Sequence, residues 1–80
     1  MERQPDPEYC ARIVLDVFVS DFRCRADGSL PMQSIAVWTR KRNLNQLDLE
    51  AGVAYAVQQR WLETIPSGQH RLTQEGFDES

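Results

Sequence analysis

The sequence predicts a small α+β domain: a three-helix bundle with one short strand and a C-terminal two-stranded β-hairpin. Three observations carry that prediction. Leu44-Asn45 followed by Asp48-Leu49 combines a short capping box with a hydrophobic staple, which marks the start of a helix. Pro66-Ser67-Gly68 lies between two short strand-like segments and suits a type I turn, with proline second and glycine fourth. Between residues 7 and 22, apolar side chains recur every three and four positions, the period of a helix with a wide buried side.

The first helix is expected over residues 7–22. Asp6 is a good N-cap, Pro7 suits the first helical position, and Glu8 complements the positive helix end. Tyr9, Cys10, Ile13, Val14, Val17, Phe18 and Phe22 form its apolar stripe. Ile13, Val14, Val17 and Val19 are β-branched and favour strand, but the segment's length and its cap decide for helix. Arg23 and Arg25 follow the last turn, and Asp27-Gly28 breaks the chain. Ser29-Leu30 is expected as a very short strand. Pro31 then opens a second helix over residues 32–42, which buries Ile35, Ala36 and Trp38 and closes on Arg40-Lys41-Arg42.

The third helix starts at the Asn45 cap, shares Leu49, Val53, Ala56 and Val57 on one face, and ends near Arg60. The hairpin strands follow at residues 61–65 and 69–73, and Thr73-Gln74-Glu75-Gly76 caps a single helical turn. Residues 1–6 and 78–80 read as tails on one domain of residues 7–77.

Composition narrows the functional classes. The 80 residues hold one modest core, so tight packing or a partner must supplement its stability. A 41% hydrophobic fraction with 26% charged residues excludes a disordered chain. Cys10 and Cys24 are too few for a disulfide framework, and with one histidine they cannot complete a zinc site, so reduced structural thiols are expected. The opening residues carry no apolar signal, and Asp16 interrupts the Ile13-Val14-Leu15 run. No membrane span is therefore expected, and the address is cytoplasmic by default. The net charge of −3 means that any nucleic-acid role rests on locally placed cations.

Helix, short strand, helix, helix and hairpin is the element order of the winged helix-turn-helix. The segment Asp48-Leu49-Glu50-Ala51-Gly52-Val53-Ala54-Tyr55-Ala56-Val57-Gln58-Gln59-Arg60-Trp61-Leu62-Glu63 resembles the recognition helix and first wing strand of small bacterial winged-helix proteins. Arg71-Leu72-Thr73-Gln74-Glu75-Gly76-Phe77 is similar to the R-L-T-x-x-G ending that closes their wings. The two stretches cover about a quarter to a third of the chain. One position departs from the pattern. Arg60 stands where these domains usually carry glycine, which is favoured for a left-handed helix end.

The resemblance implies a third helix that lies in the DNA major groove, where Asn45, Gln46 and Gln58 would contact bases or phosphates and Tyr55 would donate to phosphate. Arg40, Lys41 and Arg42 at the end of the second helix, with Arg71 on the hairpin, would hold the DNA backbone. Gln69 and His70 are further hairpin candidates. The same third helix supports a rival reading. Leu47, Ala51, Gly52 and Ala54 are small or apolar and suit close contact with a protein, either a second copy or a larger partner, or else they belong to the core. Asp48 and Glu50 neutralise the helix N-terminus. Trp38 and Trp61 are expected as core anchors.

No catalytic chemistry is expected. His70 is alone, no serine or cysteine has a base placed beside it by motif, and neither G-x-x-x-x-G-K-[ST] nor G-x-G-x-x-G occurs. No cofactor or metal is implied. Double-stranded DNA and a protein partner both stand as candidates.

Overall fold

Residues 6–80 are described by a computed structural model. Helix α1 covers Pro7–Asp16 and continues into a π-helical turn, Val17–Asp21. Then come strand β1 (Ser29–Leu30), helix α2 (Met32–Lys41), helix α3 (Gln46–Gln58), strands β2 (Leu62–Thr64) and β3 (His70–Leu72), and a short helix α4 (Gln74–Glu79). The strands form one antiparallel sheet in the order β1-β3-β2, with Leu30 opposite His70 and Leu62 opposite Leu72. The residues expected in the N-terminal tail lie outside this description, apart from Asp6. Its carboxylate accepts a hydrogen bond from the Glu8 N–H and caps α1.

Helix α1 departs from expectation in two ways. Its α-helical hydrogen bonding ends at Asp16, after which the Phe22 N–H reaches the Val17 carbonyl at 3.1 Å, a five-residue closure. The wider turn changes the phase of the side chains, so Phe18 is fully buried while Phe22 meets Trp38 edge-on at 5.7 Å. The buried stripe also differs in part from the one the spacing indicated: Cys10, Val14, Val17 and Phe18 are buried as expected, and Ala11 and Leu15 join them. Ala11, Val14, Leu15 and Phe18 form its centre, whereas Tyr9 is 61% exposed. Ala11 and Leu15 are an i, i+4 pair on the face that α3 covers, so packing rather than hydropathy selects the stripe.

Helix α3 crosses α1 at very short range. A Cβ on Gly52 would lie 2.8 Å from the Cys10 carbonyl carbon, so only glycine permits the contact. Around it, Leu49, Val53 and Ala56 pack against Val14, Leu15 and Phe18 in one core that also takes in Ile35, Leu62 and Leu72. The predicted start of α3 is formed as read. The Asp48 N–H donates to Asn45 Oδ1 at 2.8 Å, the Asn45 N–H returns a bond to Asp48 Oδ2 at 3.3 Å, and Leu44 and Leu49 are both buried.

The chain leaves α3 through Arg60, whose φ of 65° places it in the left-handed region. The arginine thus occupies the conformation for which glycine is usual at a helix end. The reversal sends the Trp61 N–H back to the Ala56 carbonyl at 2.8 Å and buries the indole. Thr73 then ties the hairpin exit to this point. Its N–H donates to the Trp61 carbonyl at 3.0 Å and its hydroxyl accepts from the Gly76 N–H, which starts α4. Helix α4 runs to Glu79, so Asp78 and Glu79 are helical rather than tail. Arg12 reaches from α1 to the Glu79 carbonyl and carboxylate.

The hairpin turn has the expected form. The Gly68 N–H donates to the Ile65 carbonyl at 2.8 Å and Gly68 takes a φ of 90°. The paired strands are shorter than expected because Trp61 belongs to the reversal and Thr73 to the α4 cap.

The α1–α3 crossing yields a prediction whose sign opposes ordinary helix propensity. Gly→Ala inside an exposed helix stabilises by about 1 kcal/mol, but Gly52→Ala is expected to lose about 1–3 kcal/mol in urea denaturation, because backbone must move. Equal or higher stability would mean that the two helices do not meet at this distance.

Candidate interaction surface on helix α3

The end of α2 and the start of α3 bring several of the sequence candidates to one edge. Arg40 and Lys41 lie at the last turn of α2, Arg42 is its C-cap, and Asn43, with φ of 69°, reverses the chain into the Asn45 cap. The cations there fall into two groups. Arg42 is committed within the protein: it bonds Asp21 through Nε and Nη2 at 3.0–3.1 Å and reaches Asp16 at 2.6 Å. The π-helical turn presents Asp21, so this clasp binds the end of α1 to the end of α2. Arg40 and Lys41 have no carboxylate within ion-pair distance among the described residues. The Lys41 ammonium lies over the Trp38 ring, 4.3 Å from its centroid. Trp38 is accordingly half-buried, an edge residue rather than the core anchor expected of it. Thr39 fills the buried position instead, its hydroxyl satisfied by the Ala36 carbonyl at 3.1 Å.

Arg71 is also paired. Its guanidinium donates to Glu63 directly across the β2–β3 ladder, and this partner holds the arginine pKa up. A continuous positive stripe joining Arg40, Arg42 and Arg71 is therefore broken at two of its three members. His70 does not project from the hairpin. It is buried on the middle strand, with Nδ1 3.4 Å from Thr64 Oγ1, and burial pushes its pKa down. Gln69 is engaged by the Ser29 hydroxyl at 3.0 Å.

On α3 the candidates separate further. Asn45 is occupied by the cap, and the Gln46 amide donates to Glu50 at 2.9 Å. Tyr55 is half-buried against the core and meets Trp61 edge-on at 5.6 Å, so its ring belongs to packing rather than to the outer face. Gln58 is exposed near the C-terminal end. The outward side carries Leu47, 71% exposed, with Glu50, Ala54, Gln58 and the 37% exposed Val57. Leu47 and Ala54 are thus surface residues rather than core, and Val57 leaves the buried face on which spacing placed it. From Gln46 to Gln58 the helix has two carboxylates and no cation.

Beside the C-terminal end of α3 an open groove of about 580 Å³ is lined by Val57, Arg60, Leu62, Glu63, Thr64, Thr73 and Glu75. Val57 is its exposed apolar side chain, since Leu62 is buried, and the groove was not visible in the sequence, because the reversal at Arg60 creates it.

Cys10 and Cys24 are both free thiols. Burial, with Asp48 and Asp6 nearby, raises the Cys10 pKa, and burial raises that of Cys24, which disfavours the nucleophilic thiolate at both. Among the described residues no cluster of three or more histidine, cysteine or carboxylate side chains could hold a metal ion, and no helix is long and apolar enough to cross a membrane. No protein-family model, curated protein or solved structure matches the chain.

Two measurements follow. His70 has a lowered pKa when folded, so the unfolded chain binds the proton more readily. Stability is then full above the unfolded value of about 6.5 and falls as pH drops through the folded value. Denaturation between pH 7 and 5 should show this loss and His70→Gln should flatten it; an unchanged slope would place the ring in solvent. For the clasp, a double-mutant cycle of Arg42→Met with Asp21→Asn is expected to give a coupling of about 1 kcal/mol, since both groups keep partial solvent contact. A coupling near zero would mean that the clasp does not hold α1 to α2.

Proposed function

We propose that this chain is a winged-helix interaction domain that docks a protein with the outer face of α3, rather than a reader of DNA. Element order, the β1-β3-β2 sheet and the Thr73–Gly76 cap after the hairpin support the winged-helix reading. The observation that carries the docking role is the surface of α3. It exposes Leu47, Ala54 and Val57 and offers no cation to a phosphate backbone. A helix lying in the major groove is flanked by phosphates, and Asp48 and Glu50 would meet them with like charge. Protein interfaces, by contrast, are depleted of charge at their centres and enclose apolar side chains.

A DNA-binding regulator is the second reading, favoured by one observation. Arg40 and Lys41 lack carboxylate partners among the described residues and stand where α2 leads into α3. These two cations would give a salt dependence of log K against log salt with a slope of only about −2.

One pair of measurements separates the readings. A photoreactive phenylalanine analogue at Leu47 should yield a discrete protein adduct in the producing cell, absent when the analogue replaces the exposed Gln33 of α2. Random duplex DNA at low salt should show no retardation. Retardation that weakens in Arg40→Gln and Lys41→Gln, with no protein adduct at position 47, would overturn the docking role in favour of DNA.

A further inference from the structure

Resting on the docking role of α3, we infer that its partner is a second copy of the chain, packed antiparallel along α3 about a twofold axis close to Ala54 and Tyr55. The two ends of the helix carry complementary features. Near the N-terminal end, Leu47 projects as an isolated apolar side chain. Beside the C-terminal end lies the groove, in which Val57 is the exposed apolar side chain. Ten residues separate Leu47 from Val57 (about 15 Å of helix), so no helix fills its own groove with its own leucine. An antiparallel neighbour brings Leu47 of each copy to the groove of the other.

Charge selects the same arrangement. Glu50 lies on the N-terminal half of the outward side, hydrogen-bonded only to the neutral Gln46 amide, and has no cation within ion-pair distance among the described residues. Arg60 lines the groove at the other end and likewise has no carboxylate partner there, whereas its neighbour Glu63 is held by Arg71. With the axis near position 55, Glu50 of one copy stands opposite Arg60 of the other, and the symmetry makes this pair twice. A parallel arrangement would oppose glutamate to glutamate. Ala54 lies where the helices cross and lets them approach, and the helix dipoles run in opposite directions. The contact is isologous and therefore closes at two copies, without exposing a second sticky face.

Sedimentation equilibrium of the full chain tests the inference. A dimer with a Kd on the order of micromolar is expected. Leu47→Glu should make the protein monomeric with an unchanged circular-dichroism spectrum and melting temperature, because Leu47 contributes little to the fold. Glu50→Arg and Arg60→Glu should each weaken association about tenfold, and the double swap should recover most of the loss. A wild-type monomer at about 1 mM, a dimer indifferent to Leu47→Glu, or a double swap no better than its single variants would overturn the antiparallel dimer. If the wild type is monomeric while the analogue at Leu47 still yields an adduct with a different protein, the self-association fails and the docking role of α3 stands. Absence of both removes both.

Discussion

At Gly52 and Cys10 two helices meet backbone to backbone, and much of the domain is arranged around that approach. A methyl group at Gly52 would intrude on the Cys10 peptide, so α1 and α3 are drawn closer than side chains normally allow. The short distance turns Ala11, Val14, Leu15 and Phe18 toward Leu49, Val53 and Ala56. In a chain of 80 residues the buried area is small, and close packing raises the dispersion gain obtained from each residue. With one side of α3 committed to α1, its opposite side must face outward. The exposure of Leu47 and Ala54 is thus a consequence of where Gly52 sits.

The two ends of α3 are held by different devices. At the N-terminal end the capping box uses Asn45 and Asp48 reciprocally, so an acidic residue is needed there for local reasons. At the C-terminal end an arginine in a left-handed conformation reverses the chain and delivers Trp61 to the core. Trp61 is then enclosed by Tyr55 and by the Arg12 guanidinium, 5.2 Å from the indole centroid, while its carbonyl receives Thr73. This one residue joins α3, the hairpin and α4. The groove and the cation at its edge both follow from the same reversal.

Electrostatics decides which of the basic residues are available to a partner. Arg12, Arg42 and Arg71 are each committed to carboxylates, and each joins two parts of the fold: α1 to α4, the π-helical turn to α2, and β3 to β2. Three of the nine lysines and arginines are thus paired with carboxylates of the same domain. Among the described residues, the other cations lie in loops and at helix ends; none stands within α3, and Arg60 lines the groove at its C-terminal end. That segregation leaves an apolar strip bordered by one acidic and one basic end, a pattern suited to protein contact more than to a polyanion.

Local chemistry was readable from residues alone. The Asn45–Asp48 box, the Pro66–Gly68 turn and the Thr73 cap each depend on a few neighbouring positions and each is present in the structure, where Leu44 and Leu49, the two staple positions, are both buried. The α+β element order follows from the same signals, and Arg60 announced its unusual backbone by standing where glycine is customary. What the residues could not reveal depended on contacts between distant segments. Arg42 and Arg71 read as free cations until Asp21 and Glu63 were brought to them, and Tyr55 read as surface until Trp61 folded back beneath it. Val57 likewise changed sides, and Leu47, left open between core and protein contact, proved exposed, because hydropathy gives the period of a helix but not which of two apolar faces a neighbour will cover. Sequence thus determined the caps, turns and element order, which are short-range hydrogen-bonding choices. Only the tertiary structure decided which charges are paired and which apolar face is left outward, since both are set by packing across the whole chain.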